Sequence, residues 1–332
     1  QKDTDVPALD ALSDATITDV STADISTADV STTQECPGTD PPVYDPPEPL
    51  EMGVCEGQPV GAPASVQQAE VNGSGFLYTS PAQPKALMLI FHGGGGHMQD
   101  LFNRVEAAIF AKEAGEQGIV IASLNSVAHI TAPEGPKFKW DTDPTACNPD
   151  VVNVTAMVKR LMDPNDLAAV PEGAPIFALG VSNGGSMVSR TAQHLKLSAV
   201  ASYISNAQSF HEPGATIPPI AIVAGEKDST VGTTGPCLLF EKAEIATFHL
   251  NWASPLTSGL FTRIPAVDCE LSQLIFQNLK EDGLLNEDNF LAISPSKIQS
   301  WKPSIPAAAE PYLSEIRDLL LERYGEHSFT SE

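Results

Sequence analysis

The protein has 332 residues, and its 42 acidic and 18 basic side chains give a formal net charge of -24 at pH 7. This surplus excludes nucleic-acid binding by neutralisation of phosphates, and it excludes binding to an anionic membrane surface through a basic patch. The sequence contains no apolar run of roughly 18 residues, so it predicts no membrane span. Its 42% hydrophobic composition excludes a chain that is disordered throughout.

The first 58 residues differ from the rest in composition. They hold 13 acidic residues and a single lysine, and they are rich in Ser, Thr, Asp and Pro. Within Asp19–Thr33 the units DVSTA, DISTA and DVSTT repeat every five residues, a period that fits neither a helix nor a strand. Repulsion between like charges and the proline cluster Pro41–Pro49 keep such a segment extended. We therefore predict a disordered acidic stalk over residues 1–58 and a folded domain over residues 59–332.

The start of the chain and its cysteines bear on the compartment. The chain begins at Gln1 and not at Met, which predicts either that a signal sequence has been removed or that the sequence has been trimmed. A long polar stalk before a folded domain is typical of export, so we expect a secreted or cell-surface protein in which the stalk serves as a tether. The cysteine spacing allows the local pairs Cys36–Cys55 and Cys237–Cys269 with Cys147 left over, while buried free thiols are the alternative.

From about residue 70 onward, apolar runs alternate with amphipathic stretches. The predicted strands are Gly75–Thr79, Ala86–Phe91, Gly118–Leu124, Ile176–Leu179 and Pro219–Ala224. The predicted helices between them are Leu101–Ala114, Val151–Met162 and Ser186–Leu195. Continuous apolar runs bounded by Gly or Pro are typical of strands buried on both faces. The fold class is therefore α/β, with a mostly parallel central sheet and helices on both faces, and the carboxyl ends of its strands are where a site is expected.

Three predicted strand ends carry residues suited to chemistry. The glycine-rich stretch His92–His97 follows the second strand, and its backbone N–H groups can approach a ligand closely. The stretch Gly180–Gly185 matches G-x-S-x-G between a strand and a helix, which would hold the hydroxyl of Ser182 at the apex of a sharp turn. A phosphate-binding loop is the rival interpretation of His92–Gly96, but neither the lysine nor the downstream acid pattern of such loops is clear here. Asp228 follows the last strand and offers a carboxylate.

The blocks LIFHGGGG, IFALGVSNGGSMVSRTAQHL and IAIVAGEKDSTVG resemble the α/β-hydrolase superfamily. Within it they are similar to secreted serine esterases of the polyhydroxybutyrate depolymerase and feruloyl esterase group. The resemblance covers roughly residues 70–232 and implies the α/β-hydrolase fold. It also implies a Ser–Asp–His triad in that chain order and an oxyanion hole formed by backbone N–H groups.

Carried over by position, the resemblance implies that Ser182 is the nucleophile and Asp228 the acid, with Glu226 the weaker candidate for the acid. The oxyanion donors would be the backbone N–H groups of Asn183 and of Gly94 or Gly95. The base must follow Asp228 in the chain, where His249 and His327 are the two histidines available. His327 is favoured because it lies in a glycine-turned loop, whereas His249 lies among apolar residues.

The expected reaction is hydrolysis of a carboxylic ester through an acyl-enzyme, which requires neither a metal nor an organic cofactor. Phenolic esters and short hydroxyalkanoate or aromatic polyesters are the expected substrates, and a monomer is expected. Residues 233–310 predict a helical, cap-like insertion before the catalytic histidine, and helices are also predicted at Leu271–Asp282 and Pro311–Tyr324. The candidates for an acyl or aromatic pocket are Trp140, Trp252 and Trp301. A serine peptidase and a noncatalytic surface-binding protein on the same fold remain alternatives.

Overall fold

Eight strands form one sheet in the computed structural model, which describes residues 66–131, 139–141 and 143–326. The strands are Val66–Val71 (β1), Ser74–Thr79 (β2), Ala86–Phe91 (β3), Ile119–Leu124 (β4), Ile176–Val181 (β5), Ala199–Tyr203 (β6), Ile220–Gly225 (β7) and Ala246–Asn251 (β8). Their order in the sheet is β1-β2-β4-β3-β5-β6-β7-β8. The antiparallel pairs are β1–β2 and β2–β4. The other six strands, in the sheet order β4-β3-β5-β6-β7-β8, all pair in parallel.

The α-helices of the described residues mostly connect these strands. They are Asp100–Asn103 (α1), Val105–Glu116 (α2), Ala128–Thr131 (α3), Pro149–Met162 (α4), Asn183–Ala192 (α5), Thr234–Lys242 (α6), Cys269–Glu281 (α7), Ile298–Trp301 (α8) and Leu313–Tyr324 (α9). Short 3₁₀ helices lie at Gln208–His211, Leu260–Arg263, Lys302–Ser304 and Ala307–Tyr312. Asn148 caps α4, because its side chain accepts hydrogen bonds from the backbone N–H groups of Asp150 and Val151.

Helices pack on both faces of the sheet, as the alternation of side chains along β3 shows. Leu89 belongs to a core cluster that includes Met157 of α4. Ile90, its neighbour in sequence, belongs to a different cluster that includes Ala111 of α2. Since successive side chains of a strand point to opposite faces, these two clusters lie on opposite sides of the sheet. The predicted layer arrangement is confirmed.

The five predicted strands are present within two residues of their predicted bounds, but three strands were not predicted. β1 is mostly exposed and polar, and β6 is a short run of small residues, so neither has a strong apolar pattern. β8 lies inside residues 233–310, for which a helical, cap-like insertion was predicted. In the structure α6 and β8 continue the alternating helix and strand pattern of the sheet, and the segment that follows Asn251 lies outside that pattern.

The segment after β8 has a hydrophobic core of its own. Its buried members include Phe261, Ile275 of α7, Trp301 and Leu320 of α9. The two helices predicted here are observed as α7 and α9, and the second is preceded by a 3₁₀ helix because Pro311 interrupts a regular α-helix.

Several sequence-based predictions concern residues outside the described part of the chain. The stalk of residues 1–58, with Cys36 and Cys55, lies there, and so does His327. Within the described residues, Cys237 and Cys269 are disulfide-bonded and Cys147 is an exposed free thiol. None of the described helices is long and apolar enough to cross a membrane.

Candidate active site

A sharp turn joins β5 to α5 and has Ser182 at its apex. Ser182 has φ 54° and ψ -119°, a backbone conformation that a residue with a side chain rarely adopts. Two hydrogen bonds hold the turn: the Ser182 N–H donates to the Tyr203 carbonyl at 2.9 Å, and the Gly185 N–H donates to the Ser182 carbonyl at 2.9 Å. Strain of this kind costs of order 1–3 kcal/mol and persists only where the surrounding structure enforces it.

The glycines on either side of Ser182 are required by close backbone packing. A Cβ atom built on Gly180 would overlap the carbonyl group of Gly184, and one built on Gly184 would overlap the carbonyl oxygen of Phe91. β3 and β5 are neighbours in the sheet, so any side chain at Gly184 would push the turn away from β3. The sharp turn expected from the G-x-S-x-G pattern is therefore present, and it leaves no room for a side chain at Gly180 or Gly184.

The glycine-rich loop after β3 faces this turn. A Cβ atom built on Gly93 would lie 3.6 Å from the Cβ atom of Ser182, and one built on Gly94 would lie 3.8 Å from that of Asn183. A hydrogen bond of 3.0 Å from the Gly96 N–H to the Gly93 carbonyl closes the loop, and Gly95 has φ 81°. Within the described residues, the backbone N–H groups of Gly94 and Gly95 have no hydrogen-bond acceptor. These groups and the first N–H groups of α5 can bind an anion.

A cavity of about 280 Å³ opens between this loop and α9. Its lining includes Ser182, the whole glycine-rich loop and Ser123 of β4. Two arginines, Arg104 and Arg317, also line it. Neither arginine was predicted as a site residue, because the two lie far apart in the chain and only the packing of α9 brings Arg317 to this cavity.

His92, the first residue of the glycine-rich loop, stabilises it through a hydrogen bond of its side chain. Its Nδ1 atom lies 2.7 Å from the Gly93 carbonyl oxygen, so Nδ1 carries the proton and donates. The ring is 7% exposed, and burial lowers its pKa from 6.5 to about 4. His92 is therefore neutral at physiological pH and adds no charge to the cavity.

Trp140 fixes both sides of the site to each other. Its indole N–H donates to the His92 carbonyl at 2.8 Å, and its backbone N–H donates to Oδ1 of Asn183 at 3.0 Å. The indole ring also packs on the imidazole of His92, with 4.5 Å between ring centroids. Trp140 thus sets the spacing between the glycine-rich loop and α5, a role that the sequence did not indicate.

None of the three tryptophans predicted for a substrate pocket lines the described cavity. Trp140 is buried behind the glycine-rich loop. Trp301 is 1% exposed in the core of the segment after β8, where its indole N–H donates to the Pro295 carbonyl at 2.8 Å. Trp252 is half-buried beside Gly325. The side chain of Trp301 is thus enclosed by a core separate from this cavity.

Asp228 lies in the loop that follows β7. Its side chain is buried, and Oδ1 accepts hydrogen bonds from the backbone N–H groups of Thr230 at 2.8 Å and Val231 at 3.1 Å. Hydrogen bonds from backbone N–H groups favour the ionised form of a carboxyl. Glu226, the weaker candidate for the acid, is exposed, and its carboxylate accepts from the Ala253 N–H at 2.9 Å. Burial and rigid placement favour Asp228.

The end of α9 meets the loop that carries Asp228. Gly325 has φ 74° and ends the helix in the left-handed conformation, and its carbonyl accepts a hydrogen bond from the Lys227 N–H at 2.8 Å. The next residue, Glu326, is held by hydroxyl groups from a different loop: Ser294 Oγ lies 2.5 Å and Ser296 Oγ 2.7 Å from its carboxylate oxygens. The described chain ends here, one residue before His327.

His249 lies within β8, opposite Val223, and its side chain is exposed. β8 is the edge strand, and β6 and β7 separate it from β5, which carries Ser182. At about 4.8 Å between neighbouring strands, His249 is offset from β5 by roughly 14 Å across the sheet. It also precedes the carboxyl end of its strand by two residues, so its position does not suit a partner of Ser182.

The chain has the α/β-hydrolase fold. The sheet order, the strand–turn–helix around Ser182 and the glycine-rich loop after β3 define it, and the predicted fold class is confirmed. No known protein-family profile matches the chain, and no curated protein matches its sequence.

Solved structures of α/β hydrolases are similar to this chain at low identity. An alpha-beta serine hydrolase homologue from Coxiella burnetii is 15% identical over 57% of this chain and 88% of its own, with a TM-score of 0.43. Est1E from Butyrivibrio proteoclasticus with bound ferulic acid is 15% identical over 55% of this chain and 88% of its own (TM-score 0.40). A cold-adapted esterase from an Arctic intertidal metagenomic library is 20% identical over 56% of this chain and 83% of its own (TM-score 0.42).

Proposed function

We propose that the protein is a serine hydrolase of carboxylic esters, with Ser182 as nucleophile, His327 as base and Asp228 as the acid that orients it. The observation that carries the proposal is the conformation of Ser182, which is held at φ 54° on a turn that faces a cavity. Strained backbone conformations of this kind are found mainly at functional sites.

The reaction would proceed through an acyl-enzyme. The Ser182 oxygen attacks the ester carbonyl carbon while His327 takes the hydroxyl proton. The tetrahedral oxyanion then collapses, the ester C–O bond breaks, and His327 gives the proton to the leaving alcohol. Water repeats the sequence on the acyl-enzyme, which releases the carboxylic acid and restores the Ser182 hydroxyl.

The oxyanion would be held by the backbone N–H groups of Asn183 and of Gly94 or Gly95. The free N–H groups of the glycine-rich loop and the close approach of Gly94 to Asn183 support this assignment. One such donor is worth roughly 3–4 kcal/mol in known hydrolases. Within the described residues, no group of three or more His, Cys, Asp or Glu side chains is arranged to hold a metal ion.

The acidic N-terminal segment and the disulfide-bonded Cys237 and Cys269 support secretion as part of the proposal. In that setting a stalk of residues 1–58 would act as a tether. Phenolic esters and short hydroxyalkanoate or aromatic polyesters are the proposed substrates.

The test is a panel of substrates with matched serine variants. The purified protein is assayed on p-nitrophenyl acetate, butyrate and octanoate, on methyl ferulate, on polyhydroxybutyrate film and on an alanine p-nitroanilide. Ser123→Ala is the control for Ser182→Ala, because Ser123 lines the same cavity from within β4. Ester hydrolysis that is lost in Ser182→Ala and kept in Ser123→Ala supports the proposal. Cleavage of the anilide alone would identify a peptidase, and no cleavage by the wild type would leave a noncatalytic protein.

A further inference from the structure

The cavity beside Ser182 is lined by two cationic side chains in a protein of net charge -24. Arg104 precedes α2, and Arg317 lies on α9. Both line the same cavity of about 280 Å³ as Ser182. The chain holds 18 Lys and Arg residues in all, so the convergence of two arginines from distant parts of the sequence on this wall calls for a physical explanation.

The charged groups around the cavity differ in whether they already form a hydrogen bond or an ion pair. Asp100, the acidic residue of the cavity wall, accepts a hydrogen bond from the His97 N–H at 2.9 Å and thereby holds the glycine-rich loop. Arg104 pairs with Asp318 at 3.4 Å, and Asp318 does not line the cavity. Arg317 is exposed, and within the described residues it makes neither an ion pair nor a hydrogen bond. Of the two arginines that line the cavity, Arg317 is therefore the one whose guanidinium group is available to bind a ligand.

The neighbouring histidine does not add to this charge. His92, which also lines the cavity, has a pKa lowered to about 4 by burial, so it is neutral at pH 7. The guanidinium groups of Arg104 and Arg317 are the permanent positive charges of a lining that also includes His97. A guanidinium group binds a carboxylate through two parallel hydrogen bonds, a geometry that a lysine cannot offer.

We propose that Arg317, assisted by Arg104, selects esters that carry a free carboxylate and orients them toward Ser182. This inference rests on the proposed esterase function and names the substrate class within it. Half-esters of dicarboxylic acids and hydroxyacid oligomers with a carboxylate end belong to this class. The cavity of about 280 Å³ lies at the lower end of typical ligand sites of roughly 300–1,000 Å³, which suits a short substrate or a chain end.

The experiment compares charged and neutral esters of the same shape. On the acyl side, p-nitrophenyl hemisuccinate is compared with its methyl ester. On the alcohol side, 4-acetoxybenzoate is compared with its methyl ester. The measured quantity is the ratio of kcat/KM for the charged ester to kcat/KM for the neutral ester, in wild type, Arg317→Gln and Arg317→Glu. Lys302→Gln is the matched control, since it removes one exposed positive charge that does not line the cavity.

We expect the wild type to prefer the charged ester in at least one pair. Since exposed ion pairs contribute modestly, the ratio should fall about fivefold in Arg317→Gln. It should fall further in Arg317→Glu, stay unchanged in Lys302→Gln, and decrease at high salt. A ratio that is the same in wild type and Arg317→Gln for both pairs would overturn the inference while hydrolysis of the neutral esters keeps the proposed function. Failure of the wild type to hydrolyse any of the four esters would instead overturn the proposed function.

Discussion

The backbone N–H of Lys227 donates a hydrogen bond of 2.8 Å to the carbonyl oxygen of Gly325. This contact joins the loop of Asp228 to the turn that ends α9. A Cβ atom built on Gly225 would lie 2.7 Å from the same carbonyl oxygen, so the two backbones are in direct contact. The chain therefore leaves Gly325 beside the loop of Asp228, the proposed acid. A catalytic base must lie next to its acid, so this placement suits a base carried by the residues that follow Gly325.

We predict that His327→Ala lowers kcat/KM for p-nitrophenyl butyrate by about a thousandfold or more, because triad members act as a unit. His249→Ala is the matched control and should retain at least half of the activity, since His249 is exposed in the edge strand. Steady-state kinetics of the two variants at pH 7.5 decide between them. An inactive His249→Ala with an active His327→Ala would reverse the assignment of the base.

The hydrogen bonds from Ser294 and Ser296 to the Glu326 carboxylate should position the next residue, His327. In Glu326→Gln the contacts of Ser294 and Ser296 with the carboxylate are weakened, and the turn beside the Asp228 loop loosens. We expect kcat to fall about tenfold with KM within twofold, because a misplaced base affects the transition state more than substrate binding. Glu310→Gln, an exposed glutamate on the 3₁₀ helix before α9, is the control. A rise in KM at constant kcat would show that Glu326 acts on binding instead.

The close packing at Gly184 predicts a large effect of a single methyl group. Gly184→Ala places Cβ on the carbonyl oxygen of Phe91, so the turn of Ser182 must move or the sheet must open. We expect a loss of about 3 kcal/mol or more in the free energy of unfolding, measured by urea titration, together with loss of activity. Gly214→Ala is the comparison, because Gly214 has φ 77° with nothing within 4 Å of the new Cβ. Its cost should be about 1 kcal/mol. Equal costs in the two variants would contradict the packing argument.

Burial of His92 predicts a pH-dependent part of the stability. Its pKa is about 4 in the folded protein and 6.5 without burial, so the unfolded chain takes up the proton first as the pH falls. The contribution of His92 is fully present above pH 6.5 and is lost as the pH falls toward 4, by about 3 kcal/mol in total. In His92→Asn the free energy of unfolding should depend less on pH over this window. Identical slopes in wild type and His92→Asn would refute the prediction.

The turn of Ser182 could be predicted from sequence because its requirements are local. Gly180, Ser182 and Gly184 lie within five residues, between a strand and a helix that each show a clear pattern. β8 was not predicted although its residues alternate apolar and polar, because it is only half-buried and lies in a segment that was interpreted as a helical insertion. Its place is set by pairing with β7, which a local pattern does not reveal.

The long-range parts of the site were out of reach of local patterns. Trp140 contacts His92 and Asn183 across separations of 48 and 43 residues, and its bulk suggested a pocket residue instead of a support. Arg317 reaches the cavity because α9 packs against the 3₁₀ helix Leu260–Arg263 and the core of the segment after β8. Such placements depend on the whole fold.

Covalent labelling tests most directly whether Ser182 is the nucleophile. The folded protein is treated with a fluorophosphonate that reacts with activated serines, and the labelled peptide is identified by mass spectrometry. We expect one adduct, on Ser182, that is absent from Ser182→Ala and present in Ser123→Ala. Labelling of another serine, or undiminished labelling of Ser182→Ala, would contradict it.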